Sequence, residues 1–276
     1  MKLLYFIVSH SLFIAFCAAA LCFQTAVLLK ISLTGWFYSL IFFSTICSYN
    51  FYWLLSSYSF APKKIVLHLK SHLSNSIVFF LSVAGVLISL FQLPEIMTLV
   101  TIGAVLTFLY AIPLLPFRWA QLARKVGLLK TTLLAFTWSY ITVFIPYKYA
   151  ETGNVTALVL LFFIRFVFML MLCIIFDARD ARVDKIRGLQ SLTTMLSAKM
   201  VKMIMLLLFA AFLIVGVFFR IHFNEIKQLL ALLVTGLAVA IAYYYSLKKQ
   251  GYYFYYFIID GLMLFGAAAT YIASIK

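Results

Sequence analysis

Long apolar runs separated by short basic stretches set the pattern of this chain. Nine can be marked, at roughly 3–29, 35–59, 77–93, 96–115, 131–149, 155–176, 200–219, 228–246 and 253–275. A helix crosses the hydrocarbon core of a bilayer with about 20 predominantly apolar residues, and each run is close to that length. The first run opens on Met1-Lys2 and contains Cys17-Ala18-Ala19-Ala20, which also suits a signal peptide. A signal core is only about 7–15 residues long, whereas this run continues to Leu29, so it reads as a retained helix. The pattern predicts an all-α polytopic membrane protein of nine transmembrane helices, one helical domain over residues 1–276. No stretch between the runs is long enough for a second domain, and no internal repeat or low-complexity tract stands out.

Composition supports that class. The chain is 66% hydrophobic and 11% charged, with a mean hydropathy of +1.11, against about 45–50% and roughly 25% for soluble domains. An ordinary cytosolic enzyme, a disordered chain and a disulfide scaffold are excluded. The net charge of +15 does not point to nucleic acid, because the basic residues cap apolar runs instead of clustering on a soluble domain. Cys17, Cys22, Cys47 and Cys173 lie within apolar runs without zinc-ligand spacing, and read as small buried hydrophobes.

Loop charge predicts the orientation. With the N-terminus inside, the cytoplasmic side carries Lys2, then Lys63, Lys64 and Lys70, then Arg118, Arg124, Lys125 and Lys130. It also carries Arg179, Arg182, Lys185, Arg187, Lys199 and Lys202, and finally Lys248 and Lys249. The other side carries Lys30, Lys148, Arg220, Lys227 and Lys276. Such a bias predicts a cytoplasmic N-terminus and an external C-terminus.

Seven acidic residues are the most informative feature. Glu95, Glu151 and Glu225 fall in short external loops. Asp177, Asp180 and Asp184 cluster at the inner end of the sixth run and, at about 100° per residue, share one helix face within roughly 60°. Three carboxylates on one face repel unless cations join them. Mg²⁺, which takes one or two carboxylates with phosphates and water, is one solution; pairing with Arg179, Arg182 and Lys185 on a solvated helix is the other. Asp260 lies inside the ninth run, where lipid exposure is costly. It is expected to face the bundle interior, either toward a substrate or toward a buried cation such as Arg165. Arg165 itself is expected to snorkel to the external interface.

The segment Asp177-Ala-Arg-Asp180-Ala-Arg-Val-Asp184-Lys-Ile-Arg-Gly188-Leu-Gln-Ser191-Leu192-Thr193-Thr194-Met-Leu-Ser197 resembles the second aspartate motif of the UbiA superfamily of intramembrane prenyltransferases. Tyr110-Ala111-Ile112-Pro113-Leu-Leu-Pro-Phe-Arg118 is similar to that family's Tyr-Ser-x-Pro stretch followed by a basic residue. The nine-helix plan agrees, so the resemblance covers nearly the whole chain. One departure stands out. The family's first motif, N-D-x-x-D-x-x-x-D, falls at Asn50, but the carboxylate positions here are Phe51, Leu54 and Tyr58.

The resemblance implies a bundle with a central cavity and transfer of a prenyl group from a prenyl diphosphate to a hydrophobic, aromatic acceptor. It assigns Mg²⁺ to Asp180 and Asp184 with Asp177, diphosphate binding to Arg118, Lys125 and Lys130, and substrate contacts to Asn50 and Tyr110, beside which Asp260 is a candidate contact from its place in the ninth run. The expected setting is the inner membrane of a bacterium, with lipid as the surrounding partner. Two other readings stay open: an isoprenoid- or lipid-binding protein or partner subunit without catalysis, and a small-solute transporter using Arg165 and Asp260. The tracts Tyr243-Tyr244-Tyr245 and Tyr252 to Phe257 read as interfacial aromatic belts. His68 and His72, set among Lys63, Lys64 and Lys70, read as a basic loop against anionic headgroups.

Overall fold

A computed structural model describes residues 2–56, 73–111, 127–151, 153–186, 191–223 and 226–275. Every regular element among them is helical: α1 (Lys2–Ser9), α2 (Leu12–Leu29), α3 (Gly35–Ser56), α4 (Leu73–Phe91), α5 (Met97–Ala111), α6 (Gly127–Ser139), α7 (Ile145–Tyr149), α8 (Val155–Ile186), α9 (Leu192–Met195), α10 (Ala198–Phe223), α11 (Ile226–Ser246) and α12 (Asp260–Ser274). A short 3₁₀ turn, Pro94–Ile96, leads into α5. π-helical turns at Tyr140–Phe144 and Phe254–Ile259 join α6 to α7 and open α12.

Among the described residues, six helices are long and apolar enough to cross a membrane, running Leu12–Leu29, Leu73–Phe91, Val155–Ala181, Ala198–Ile221, Ile226–Ser246 and Phe254–Ser274. The expectation of nine is therefore met only in part. The described residues of the other three runs are helical too, but Pro94–Tyr110 is shorter, α3 dilutes its apolar residues with Ser, Tyr, Trp and Asn50, and α6–α7 is broken by a π turn. Pro146 sits just beyond that turn, and proline cannot donate the hydrogen bond a helix interior needs. Carbonyls released there find other partners: Thr142 O accepts from Thr25 Oγ1 of α2 at 2.6 Å.

Burial distinguishes inner from outer helices. On α8, every residue from Val167 to Ile175 is buried; this helix packs against α6 on one side and α10 on the other. On α4 only Ser82 and Ser89 are buried, while Phe80, Leu81, Leu87 and Ile88 are exposed. α10 likewise exposes Leu206, Leu207, Ile214 and Phe218. Contiguous apolar faces of this size are what lipid, not water, covers. Packing runs α4–α3–α2–α12–α11–α10–α8–α6–α5, so the chain forms a nearly closed circle of helices.

Candidate functional site

A cavity of about 230 Å³ opens where α3, α5 and α6 face one another, with Ala18 of α2 and Val86 of α4 completing its wall. Ser44, Thr45, Thr107 and Thr137 place hydroxyls in this wall. Each donates back to a carbonyl three or four residues earlier in its own helix, at 2.7–3.2 Å. Their donors are spent locally, so these four side chains offer the space carbon and weak acceptors. Tyr49 is 39% exposed although it stands well inside the bundle, because its ring faces this cavity. Trp138 contributes a second aromatic surface.

One end of the cavity is polar. Tyr110 lines it, stacks on Tyr52 at 5.4 Å, and lies under the Lys130 ammonium, 5.7 Å from the ring centre. Asp184, Asp177 and Asp180 act electrostatically on that ammonium. Burial opposes its charge, but Tyr52 and the three carboxylates hold Lys130 above its ordinary value, so it is a fixed cation. The sequence-derived set Tyr110, Lys130, Asp177, Asp180 and Asp184 is thus brought to one neighbourhood by α5, α6 and α8.

Within the acidic cluster the three carboxylates have different partners. Asp177 accepts the Thr131 hydroxyl at 2.5 Å, and its backbone carbonyl accepts Thr193 Oγ1 at 2.8 Å. The Ser191–Thr194 turn is a capping box, so the Ser/Thr segment after the aspartates fastens α9 to α8. Asp184 is buried. Asp180 is engaged by Arg179 through two bonds of 2.7 and 2.8 Å. The Arg179 guanidinium also lies 4.7–5.1 Å from the ring centres of Phe176, Tyr255 and Tyr256. Among the described residues no three His, Cys, Asp or Glu side chains are grouped so as to hold a metal ion.

Asp260 is buried, 8% exposed, at the point where the π turn passes into α12. It faces the interior, with Arg179, Tyr49, Cys17 and Cys173 in its electrostatic surroundings. Asp177 and Asp260 both act electrostatically on Cys173. The cation that acts electrostatically on Asp260 is Arg179, not Arg165. Nor does Arg165 snorkel. It is 3% exposed and donates to Leu21 O at 3.2 Å and Thr25 Oγ1 at 3.4 Å, beside a small cavity of about 20 Å³ shared with Gln24 and Thr235. The backbone and threonine oxygens of α2 are close enough to hold the guanidinium within the bundle.

Asn50 is buried, and its Nδ2 donates to Ile46 O at 2.9 Å, a bond within α3. Arg118 and Lys125 lie outside the described residues, as do His68, His72 and Tyr58. Sequence reasoning missed Thr131, Thr193 and Tyr52 as partners of the cluster. Thr131 adjoins Lys130 and Tyr52 lies two residues past Asn50, but neither position announces a partner on another helix.

No protein-family model matches the sequence, and no curated protein matches it. A comparison with solved structures finds similarity to the apo structure of a UbiA homolog from Aeropyrum pernix K1, with a TM-score of 0.68 over 97% of this chain and 99% of that one. The two sequences are 11% identical. At that identity the likeness is one of fold, and the chain has the UbiA fold over nearly its full length.

Proposed function

We propose that this UbiA-fold membrane protein transfers a prenyl group from a prenyl diphosphate to a hydrophobic, aromatic acceptor. The observation that carries this reading is a fixed cation, Lys130, standing with Asp177, Asp180 and Asp184 at the polar end of an apolar cavity. By the loop-charge bias, that end lies on the cytoplasmic side.

In the reaction the bond from the allylic carbon to the bridging oxygen breaks, and the diphosphate leaves with the electron pair. The acceptor attacks the allylic carbon and loses a proton. Lys130 meets the charge that grows on the leaving group, where a pre-positioned cation in a low-dielectric site acts most strongly; Arg118 and Lys125 are proposed to add to it. Tyr49, Tyr110 and Trp138 offer ring faces to the cationic carbon.

Three aspartates stand beside Lys130 and Arg179, so a diphosphate enters the field of carboxylates that repel it unless it brings positive charge with it. The donors do not suit a resident ion held by the protein alone. They suit Mg²⁺ that arrives on the diphosphate, bound by one or two carboxylates and by phosphate oxygens. Asn50 and Asp260 are proposed as substrate contacts.

The second reading is an isoprenoid-binding protein without turnover. It is favoured by Phe51, Leu54 and Tyr58 standing where the resemblance expects carboxylates. The transporter reading draws nothing from the structure, because Arg165 and Asp260 occupy separate settings.

The test is diphosphate release from a labelled prenyl diphosphate by protein in nanodiscs with Mg²⁺. Wild type is expected to release it and Asp180→Ala to abolish release. Because the Asp180–Arg179 pair is partly exposed, at 44% and 22% of the side chains, the same variant should lose only about 0–1 kcal/mol of stability. Binding without release, indifferent to Mg²⁺, would replace the transferase with the binding protein.

A further inference from the structure

The helices that build the large cavity also measure it. On α5, Tyr110 lines the polar end and Val100 the far end; those ten residues rise about 15 Å at roughly 1.5 Å each. On α3, Tyr49 and Leu40 line the corresponding ends, and their nine residues rise about 13–14 Å. Two independent walls agree on the depth. Ile141 and Ile145 line the far end together with Val100. It is also pinned: Tyr140, in the π turn, donates its hydroxyl to Leu99 O at 3.1 Å and stacks on Phe144 at 5.2 Å. The turn that Pro146 imposes therefore doubles as the floor.

We infer, on the premise of a prenyl diphosphate donor, that this cavity is a ruler for the prenyl chain. An extended hydrocarbon advances roughly 1.3 Å per bond, given carbon–carbon bonds of about 1.5 Å. A depth of 13–15 Å then takes about ten to twelve chain bonds, close to the length of three isoprene units. The volume of about 230 Å³ falls below the roughly 300–1,000 Å³ of pockets that take drug-sized ligands, which agrees with a short chain. With the diphosphate held at Lys130, a longer chain meets Val100, Ile141 and Ile145.

Gly103 supplies the means to test the ruler. It lines the cavity seven residues below Tyr110, about 10 Å down at the helical rise. A Cβ there would meet only Ile141 and Tyr140 side-chain atoms at 3.7–3.9 Å, ordinary contact. Alanine is therefore accommodated, and a longer side chain must grow into the space that a third unit would fill.

The experiment is displacement of a radiolabelled three-unit prenyl diphosphate from protein in nanodiscs, in the presence of Mg²⁺. The competitors are non-hydrolysable thiodiphosphates of two, three, four and nine units, with inorganic diphosphate alongside. For wild type, affinity is expected to rise from two units to three and to fall at least tenfold at four and nine. Gly103→Leu should move the optimum to two units. Val100→Phe, which fills the floor instead, should do the same should the leucine variant not fold. Equal or tighter binding of the nine-unit competitor, or an unchanged order in both variants, would overturn the ruler while leaving the donor reading intact. Absence of binding by every competitor and by the labelled donor itself would overturn both.

Discussion

Replacing Thr131 with valine removes one hydroxyl from the centre of the acidic cluster and changes little else. Thr131 is 2% exposed, and valine keeps its branched outline. What disappears is the 2.5 Å bond to Asp177, which ties α6 to α8 across 46 positions of sequence. A hydrogen bond to a charged group contributes about 1.5–3 kcal/mol, and the partner left behind is a carboxylate with only Lys130 to offset it. At about 2–4 °C per kcal/mol for a chain of this order of size, the variant should melt about 3–12 °C below wild type. The decisive assay is a double-mutant cycle with Asp177→Ala, read by thermal unfolding in nanodiscs. If the bond is the cause, the double variant loses less than the sum of the singles, with a coupling of about 1.5–3 kcal/mol. Additivity within about 0.5 kcal/mol would show that Thr131 and Asp177 do not hold each other, and Asp177 would lose its stated orientation.

Arg165→Met should be neutral or stabilising by about 1–4 kcal/mol, as when buried ionic groups give way to well-packed apolar ones. Leu21 lies inside α2, where the helix's own i to i+4 ladder reaches its carbonyl, so no acceptor there is orphaned. Calorimetry showing a loss greater than about 2 kcal/mol would mean that the guanidinium has an anionic partner. Gly85→Ala should destabilise the protein by about 1–3 kcal/mol through overpacking. The added Cβ would stand 2.5–2.7 Å from the Phe43 ring where α4 meets α3. An increased melting temperature would refute that close approach, since helix propensity alone favours alanine by about 1 kcal/mol.

Much of the architecture was legible in the chain because hydropathy is a property of each segment by itself. The runs at 155–176 and 200–219 became α8 and α10, and the run at 77–93 became α4, extended by a turn to Leu73. The acidic cluster was legible too, since Asp177, Asp180 and Asp184 belong to one helix whose period fixes their common face. Partners drawn from other helices were not. The Asp180–Arg179 pair lies within one helix and was among the pairings the sequence offered, but the Tyr255 and Tyr256 rings that hold the guanidinium come from the last helix's π turn. Asp177 is taken by Thr131 from α6. Arg165, a snorkelling residue by its position in the run, is drawn inward by oxygens of α2.

The sequence by itself therefore determined the lipid-covered helices, their lengths and the face on which the carboxylates stand, because burial of an apolar run needs no knowledge of its neighbour. Only the tertiary structure decided which partners reach Asp177 and Arg165 from other helices and where the cavity ends. Those outcomes depend on distances of a few ångströms between helices far apart in the chain, and local periodicity carries no record of them.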